Sequence, residues 1–127
     1  MREKEIFEYA VIRLVPNVER EEFINIGVIL LCRKRRFLDL KFRLEGERIR
    51  CFAPETDLEM IQQYLEGWKE VCNGGNAGGK IGQLDLQVRF RWLTAKRSTI
   101  IQSSPVHSGL CEEPKVCLDK LFSRYIS

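Results

Sequence analysis

The sequence is poor in the residues from which metal and acid–base sites are usually built. It has one histidine, His107, and five cysteines of which no two form a C-x-x-C pair. Zinc takes four ligands, usually paired two to four residues apart, so neither a metal nor another cofactor is expected. The start, Met1-Arg2-Glu3-Lys4-Glu5, lacks the apolar stretch of a secretory signal, which points to a cytoplasmic location. With an odd number of cysteines and no export signal, a disulfide framework is not expected either. Cys32 closes an apolar run and Cys117 sits among helix formers, so both read as buried, inert thiols. The longest uninterrupted apolar run is Ile26–Cys32, far short of the roughly 20 residues that cross a bilayer, and it excludes a membrane-spanning helix. Neither G-x-x-x-x-G-K-[ST] nor G-x-G-x-x-G occurs, and Gly78-Gly79-Lys80 lacks the following Ser or Thr. The standard nucleotide-binding loops are therefore absent.

What is present suits one soluble domain spanning residues 1–127, with 44% hydrophobic and 31% charged residues. The net charge of +3 is unevenly spread. Residues 1–32 and 51–79 are acidic, whereas residues 33–50, with the tetrad Arg33-Lys34-Arg35-Arg36, and residues 80–97 are basic. If the two basic blocks meet in space they form a basic face.

Hydrophobic periodicity predicts an α+β domain: an antiparallel sheet of about four strands with two main helices packed on one face. Ile6–Val15 is β-branched and apolar on both alternating faces, as in a central strand. Phe23–Cys32 is a second apolar strand. Beyond the basic tetrad, Leu38, Leu40, Phe42 and Leu44 alternate with Asp39, Lys41 and Arg43 in a third, which has one wet face and belongs near an edge. Leu58, Ile61, Leu65, Trp68 and Cys72 then form a helical stripe, begun by a T-x-x-E capping box at Thr56 and Glu59 and stopped by Asn73-Gly74-Gly75. Residues 73–82 hold five of the nine glycines and read as a mobile loop. Residues 84–95 fit both periods, and we favour a short helix followed by a strand at Ser98–Gln102. Glu112-Glu113-Pro114 starts a last helix, with Leu118, Leu121, Phe122 and Tyr125 as its buried stripe.

Several polar residues stand where an apolar strand makes them costly. Asn25 and Gly27 interrupt the second strand, and a β-bulge accounts for both, with Gly27 supplying an unusual backbone angle and Asn25 bonding the disrupted ladder. The competing reading is close approach of a ligand or partner. Arg13 lies in the first strand, where a guanidinium needs a carboxylate. Glu22, at the start of the next strand, is the expected partner, and an anion in an open pocket is the alternative. Arg97-Ser98-Thr99 sets hydroxyls beside a cation, as phosphate or carboxylate binding requires, with Arg91 just upstream. His107 is the one side chain whose ordinary titration lies near neutrality, yet no spacing pairs it with a nucleophile and an acid, so it is carried as a low-ranked catalytic candidate.

The segments Tyr9-Ala-Val-Ile-Arg13-Leu-Val-Pro16, Glu22-Phe-Ile-Asn25-Ile-Gly27-Val28, Arg97-Ser98-Thr99-Ile-Ile-Gln102 with Pro105-Val106-His107, and Leu118-Asp119-Lys120-Leu121-Phe122 together resemble a bacterial family, the domain of unknown function 3037, from about Tyr9 to Ile126. Lys96 departs from it, standing where the family pattern has proline. The resemblance supplies no reaction. It implies a small cytosolic bacterial protein, often encoded beside a HipA-like protein kinase, and hence an accessory role with such a kinase as partner. The expected function is a non-enzymatic binding module whose contact surface unites Arg13, Glu22, Asn25, Gly27, Arg91, Arg97, Ser98, Thr99 and His107. Two alternatives stand beside it. One is an enzyme or binder acting on a phosphorylated or nucleotide-like ligand, through Arg13, Arg97, Ser98 and His107. The weaker one is nucleic-acid binding, with Phe90 and Trp92 interleaved among the basic residues for stacking.

Overall fold

A computed structural model describes residues 3–126, so Met1, Arg2 and Ser127, the ends of the expected 1–127 domain, lie outside the described residues. The chain runs β1 (Glu5–Leu14), β2 (Ile24–Cys32), β3 (Phe37–Phe42), α1 (Gly46–Phe52), α2 (Leu58–Asn73), α3 (Gly79–Gly82), α4 (Leu86–Thr94), β4 (Ile101–Ser103), β5 (His107–Cys111) and α5 (Pro114–Ile126). Short 3₁₀ turns lie at Val18–Arg20 and Asn76–Gly78. The architecture is α+β, and residues 84–95 take the helical alternative as α4.

All strand pairings are antiparallel, in the order β3-β2-β1 with β4 and β5 sharing the far side of β1. Ile12 pairs with Ser103 but Tyr9 with His107, so one extra residue is inserted between the two short strands. They are the halves of a single edge strand broken at Ser104-Pro105-Val106, which makes five strands where about four are expected. Pro105 has no N–H, and Ser104 repairs the break. Its amide donates to Val11 O at 2.8 Å, and its hydroxyl accepts from Val11 N at 2.8 Å. Ser104 is buried.

The sheet is covered on both sides, which corrects the expectation that the two main helices share one face. Ile12, Ile29, Leu31 and Leu40 pack with Ile61, Leu65 and Trp68 of α2 and Phe90 and Leu93 of α4. Phe7, Val28, Leu30 and Cys32 pack with Leu118, Leu121 and Phe122 of α5. The reason lies in β2. Its alternating positions are apolar on both sides, so each side needs a cover.

The helix termini explain two further differences. Asp57, not Thr56, caps α2, its carboxylate accepting from Glu59 N at 3.1 Å and Met60 N at 3.2 Å. Thr56 instead closes a turn, donating its amide to Ala53 O. At the other end the Arg89 guanidinium donates to Val71 O, Cys72 O and Leu84 O, at 2.8, 2.8 and 2.9 Å, satisfying carbonyls that a helix terminus leaves orphaned. Residues 73–82 are folded rather than open. Gly75 N donates to Gly82 O, and a Cβ on Gly82 would stand 2.7 Å from Gly75 O, so Gly82 serves close backbone packing, while Gly74, Gly75 and Gly79 supply positive φ.

Candidate functional site

The expected site residues fall into separate places. On the α4 side, Arg97 lies over the Trp68 and Trp92 rings at 5.4 and 4.8 Å and donates to Leu93 O at 3.0 Å and to Trp92 O. It closes the end of α4, and its guanidinium is spent on backbone. Thr99 Oγ1 donates to Ile101 O at 2.7 Å, while Arg91 and Ser98 are exposed. The Arg-Ser-Thr run is therefore a helix stop and a turn into β4. It does not join Arg13, Asn25 and His107, which lie on the α5 side of the sheet.

Gly27 is explained by the fold. Ile12 pairs with Gly27 and Arg13 with Asn25, so Ile26 is the extra residue of a β-bulge, as expected. The cause differs from the expected one, because Gly27 is not among the residues with positive φ. A Cβ there would meet Lys41 O at 2.8 Å and Phe42 Cβ at 3.0 Å; glycine is needed for the close approach of β3. Asn25 bonds the end of α5 instead of the ladder, with Nδ2 donating to Tyr125 O at 3.5 Å.

The expected Arg13–Glu22 pair is not formed. The turn at Val18–Arg20 and the left-handed Glu21, φ 55°, leave Glu22 exposed, and its Oε1 pairs with Arg20 Nε at 2.6 Å. The Arg13 guanidinium lies 4.1 Å from the centre of the Phe23 ring, and its buried Nε has no hydrogen-bond partner among the described residues. Arg13 stands between Asn25 on β2 and Gln102 on β4. Further along the same face, the exposed His107 packs its ring 5.4 Å from that of Tyr9, whose hydroxyl is 3.2 Å from the Tyr125 hydroxyl. That hydrogen bond and burial hold the Tyr9 hydroxyl above its ordinary pKa.

This patch adjoins the feature that sequence reasoning missed. From Ser98 to Cys111 the chain has no Lys, Arg, Asp or Glu, and this run includes the whole of the outer strand. Among the described residues β5 pairs with β1 alone, which leaves its other backbone edge open. Leu110 is 63% exposed, and Ile6, its register partner on β1, is 67% exposed. The signal was available as a gap in charge between Arg97 and Glu112.

Two basic blocks do converge, at a groove of about 1210 Å³ lined by Arg33, Lys34 and Arg36 of the first and Arg89 of the second. Arg89 is already committed to carbonyls, and Glu8 and Asp85 line the same groove. Phe90, named for base stacking, is 2% exposed and belongs to the core. Trp92 already carries Arg97 against its ring.

The cysteines gather in a way their spacing does not reveal. Cys111 lies beside Cys32 and Cys117 under α5, and burial, followed by those neighbouring thiols, pushes it up to about 11. Burial, with Asp39 nearby, pushes Cys72 up to about 12, and burial also raises Cys117. Such thiols stay protonated at neutral pH and are poor nucleophiles. Cys51 is exposed. Among the described residues, no group of three or more His, Cys, Asp and Glu side chains is placed to hold a metal ion, and no helix is long and apolar enough to cross a membrane.

No curated protein and no solved structure matches the chain. A family model described as a protein of unknown function (DUF3037) matches residues 9–126. That span takes in the bulged β2, the Arg13–Asn25 rung, both halves of the broken edge strand and α5, and the chain belongs to this family.

Proposed function

We propose that this protein is a non-catalytic binding module that holds another protein along the β4–β5 edge, in the bacterial cytoplasm. The observation that carries the reading is the absence of charge from Ser98 to Cys111 on a strand whose outer backbone is unpaired among the described residues. Open edges are ordinarily guarded by charged side chains, because their free N–H and C=O groups recruit further strands. An unguarded edge beside exposed Leu110 and Ile6 suits an extended partner segment that adds a strand, its backbone supplying affinity and its alternate apolar side chains specificity. β4 and β5 are three and five residues long and are split at Pro105, which limits open-ended self-pairing while leaving a register for one strand. The HipA-like protein kinase to which the family resemblance pointed is the first partner to test.

The other readings each lose one of the residues on which they rest. Arg97, the proposed phosphate ligand, is consumed by Leu93 O and Trp92 O, and Phe90 is unavailable for stacking.

The test is titration calorimetry of the purified chain against that kinase, with Leu110→Lys on the proposed edge and Lys41→Ala on the opposite one. A complex weakened at least tenfold by Leu110→Lys and unaffected by Lys41→Ala supports the reading. No complex, or one indifferent to Leu110→Lys, overturns it.

A further inference from the structure

Arg13 is on a central strand, and although the side chain is only half-buried, its Nε is buried without an acceptor among the described residues. Leaving a buried donor of a charged group unpaired is costly. The Arg13 guanidinium carbon lies 4.1 Å from the centre of the Phe23 ring, a cation–π contact that places the guanidinium beside that ring. Glu22, the carboxylate expected to pair with Arg13, is turned away to Arg20.

We propose that Arg13 anchors a binding site for a carboxylate. The neighbouring groups define the chemistry. On the same face, Asn25 is the register neighbour of Arg13, and beyond it Arg43 is already paired, with Nε 3.4 Å from Glu45 Oε1 and Nη2 donating to Ile126 O at 3.0 Å. Lys41 is paired with Asp119 at 3.1 Å. A guanidinium with an unpaired Nε, on a rung where the described residues place no second cation, matches a singly charged planar acceptor that a guanidinium can hold by two parallel hydrogen bonds. Arg13 does not itself line a cavity, but its neighbours Phe23 and Asn25 line one of about 450 Å³ with Phe52 and Arg48, which puts room for the remainder of a ligand beside the guanidinium. This site rests on the unpaired Arg13, independently of the proposed partner edge.

A carboxylate can arrive on a small acid or on a Glu side chain, and the test separates them. The Arg Nε–Hε resonances of the ¹⁵N-labelled protein are followed during titration with sodium acetate and, separately, with the blocked peptide acetyl-Gly-Glu-Gly-amide, ionic strength being held constant with sodium chloride. The Arg13 signal is expected to move saturably with at least one of them while that of Arg97 stays still. A larger response to acetate identifies a small-acid site, and a larger response to the peptide identifies a side-chain carboxylate. In Arg13→Gln the accompanying shift of the Asn25 side-chain amide should weaken at least tenfold, and in Leu110→Lys it should persist. An Arg13 signal that moves no more than that of Arg97 overturns the proposal, as does an Asn25 response that survives Arg13→Gln.

Discussion

β3 borders the sheet on one side with Asp39, Lys41 and Arg43 along and just beyond it, and α5 reaches across to pair Asp119 with Lys41. β4 and β5 border the other side with no formal charge and with Leu110 in water. Both edges face the same energetic problem, since an unpaired row of N–H and C=O groups invites another strand. The β3 edge answers it with charge. The β4–β5 edge relies only on shortness and a break at Pro105, which makes it the side on which an incoming segment meets no electrostatic opposition. The contrast teaches that the functional signal lies in what the edge omits, and substitutions can press on it from both sides.

The largest expected effect concerns how β3 is attached. Gly27→Val places a side chain where a Cβ alone already comes within 2.8 Å of Lys41 O. Backbone cannot yield as a flexible side chain can, and such overpacking should cost about 3 kcal/mol, read as a lower urea midpoint at unchanged slope. The β4–β5 edge is attached by a hydroxyl instead. Ser104→Ala leaves Val11 N, now bonded at 2.8 Å, buried without an acceptor, which should cost about 1–3 kcal/mol. If Ser104→Ala is the more damaging, the β3 edge is not the firmer of the two.

Much of this fold is written in local patterns. The alternation of β1 to β3, the stripe of α2 and the proline start of α5 each repeat a chemical preference over many residues, so each survives local exceptions. The two-sided cover was legible as well, because β1 and β2 are apolar on both alternating faces, and only the inference to one helical layer was mistaken. The site was less legible because it depends on pairings between distant residues. Arg13 and Glu22 are well spaced for a hairpin ion pair, yet a left-handed Glu21 sends the acid to Arg20. Arg97 looks like an anion ligand in sequence, but the carbonyls at the end of its own helix lie nearer than any ligand. Cys32, Cys111 and Cys117 meet only once α5 has packed.

A finer test of the contrast exchanges the character of the edges. The double variant Asp39→Thr, Lys41→Thr removes the guard from β3, and self-association followed by sedimentation velocity should appear at concentrations where the parent chain shows none. Leu110→Lys installs a guard on β5. It should weaken partner binding at least tenfold, or about 1.4 kcal/mol, with little change in stability because Leu110 is already exposed. Equal self-association of both variants would mean that edge charge is not what distinguishes the two sides.

The smallest effect concerns the ion pair that ties α5 to β3, and its sign can be fixed. Hydrogen bonding to Lys41 is the leading cause that holds the Asp119 carboxyl below its ordinary value of 3.8. A carboxyl depressed in the folded state contributes stability above the unfolded value, and that contribution is lost as pH falls through the lower folded one. Lys41→Ala should therefore leave its mark near neutral pH and converge with the parent chain in strong acid. Since the pair is exposed, high salt should erase most of the difference. The opposite edge offers a matched control. No carboxylate lies between Ser98 and Cys111, so Leu110→Gln should run parallel to the parent chain through the whole acid limb. A Leu110→Gln curve that diverges below pH 4 would show that the uncharged edge is electrostatically coupled to the guarded one, and the two could no longer be treated as separate devices.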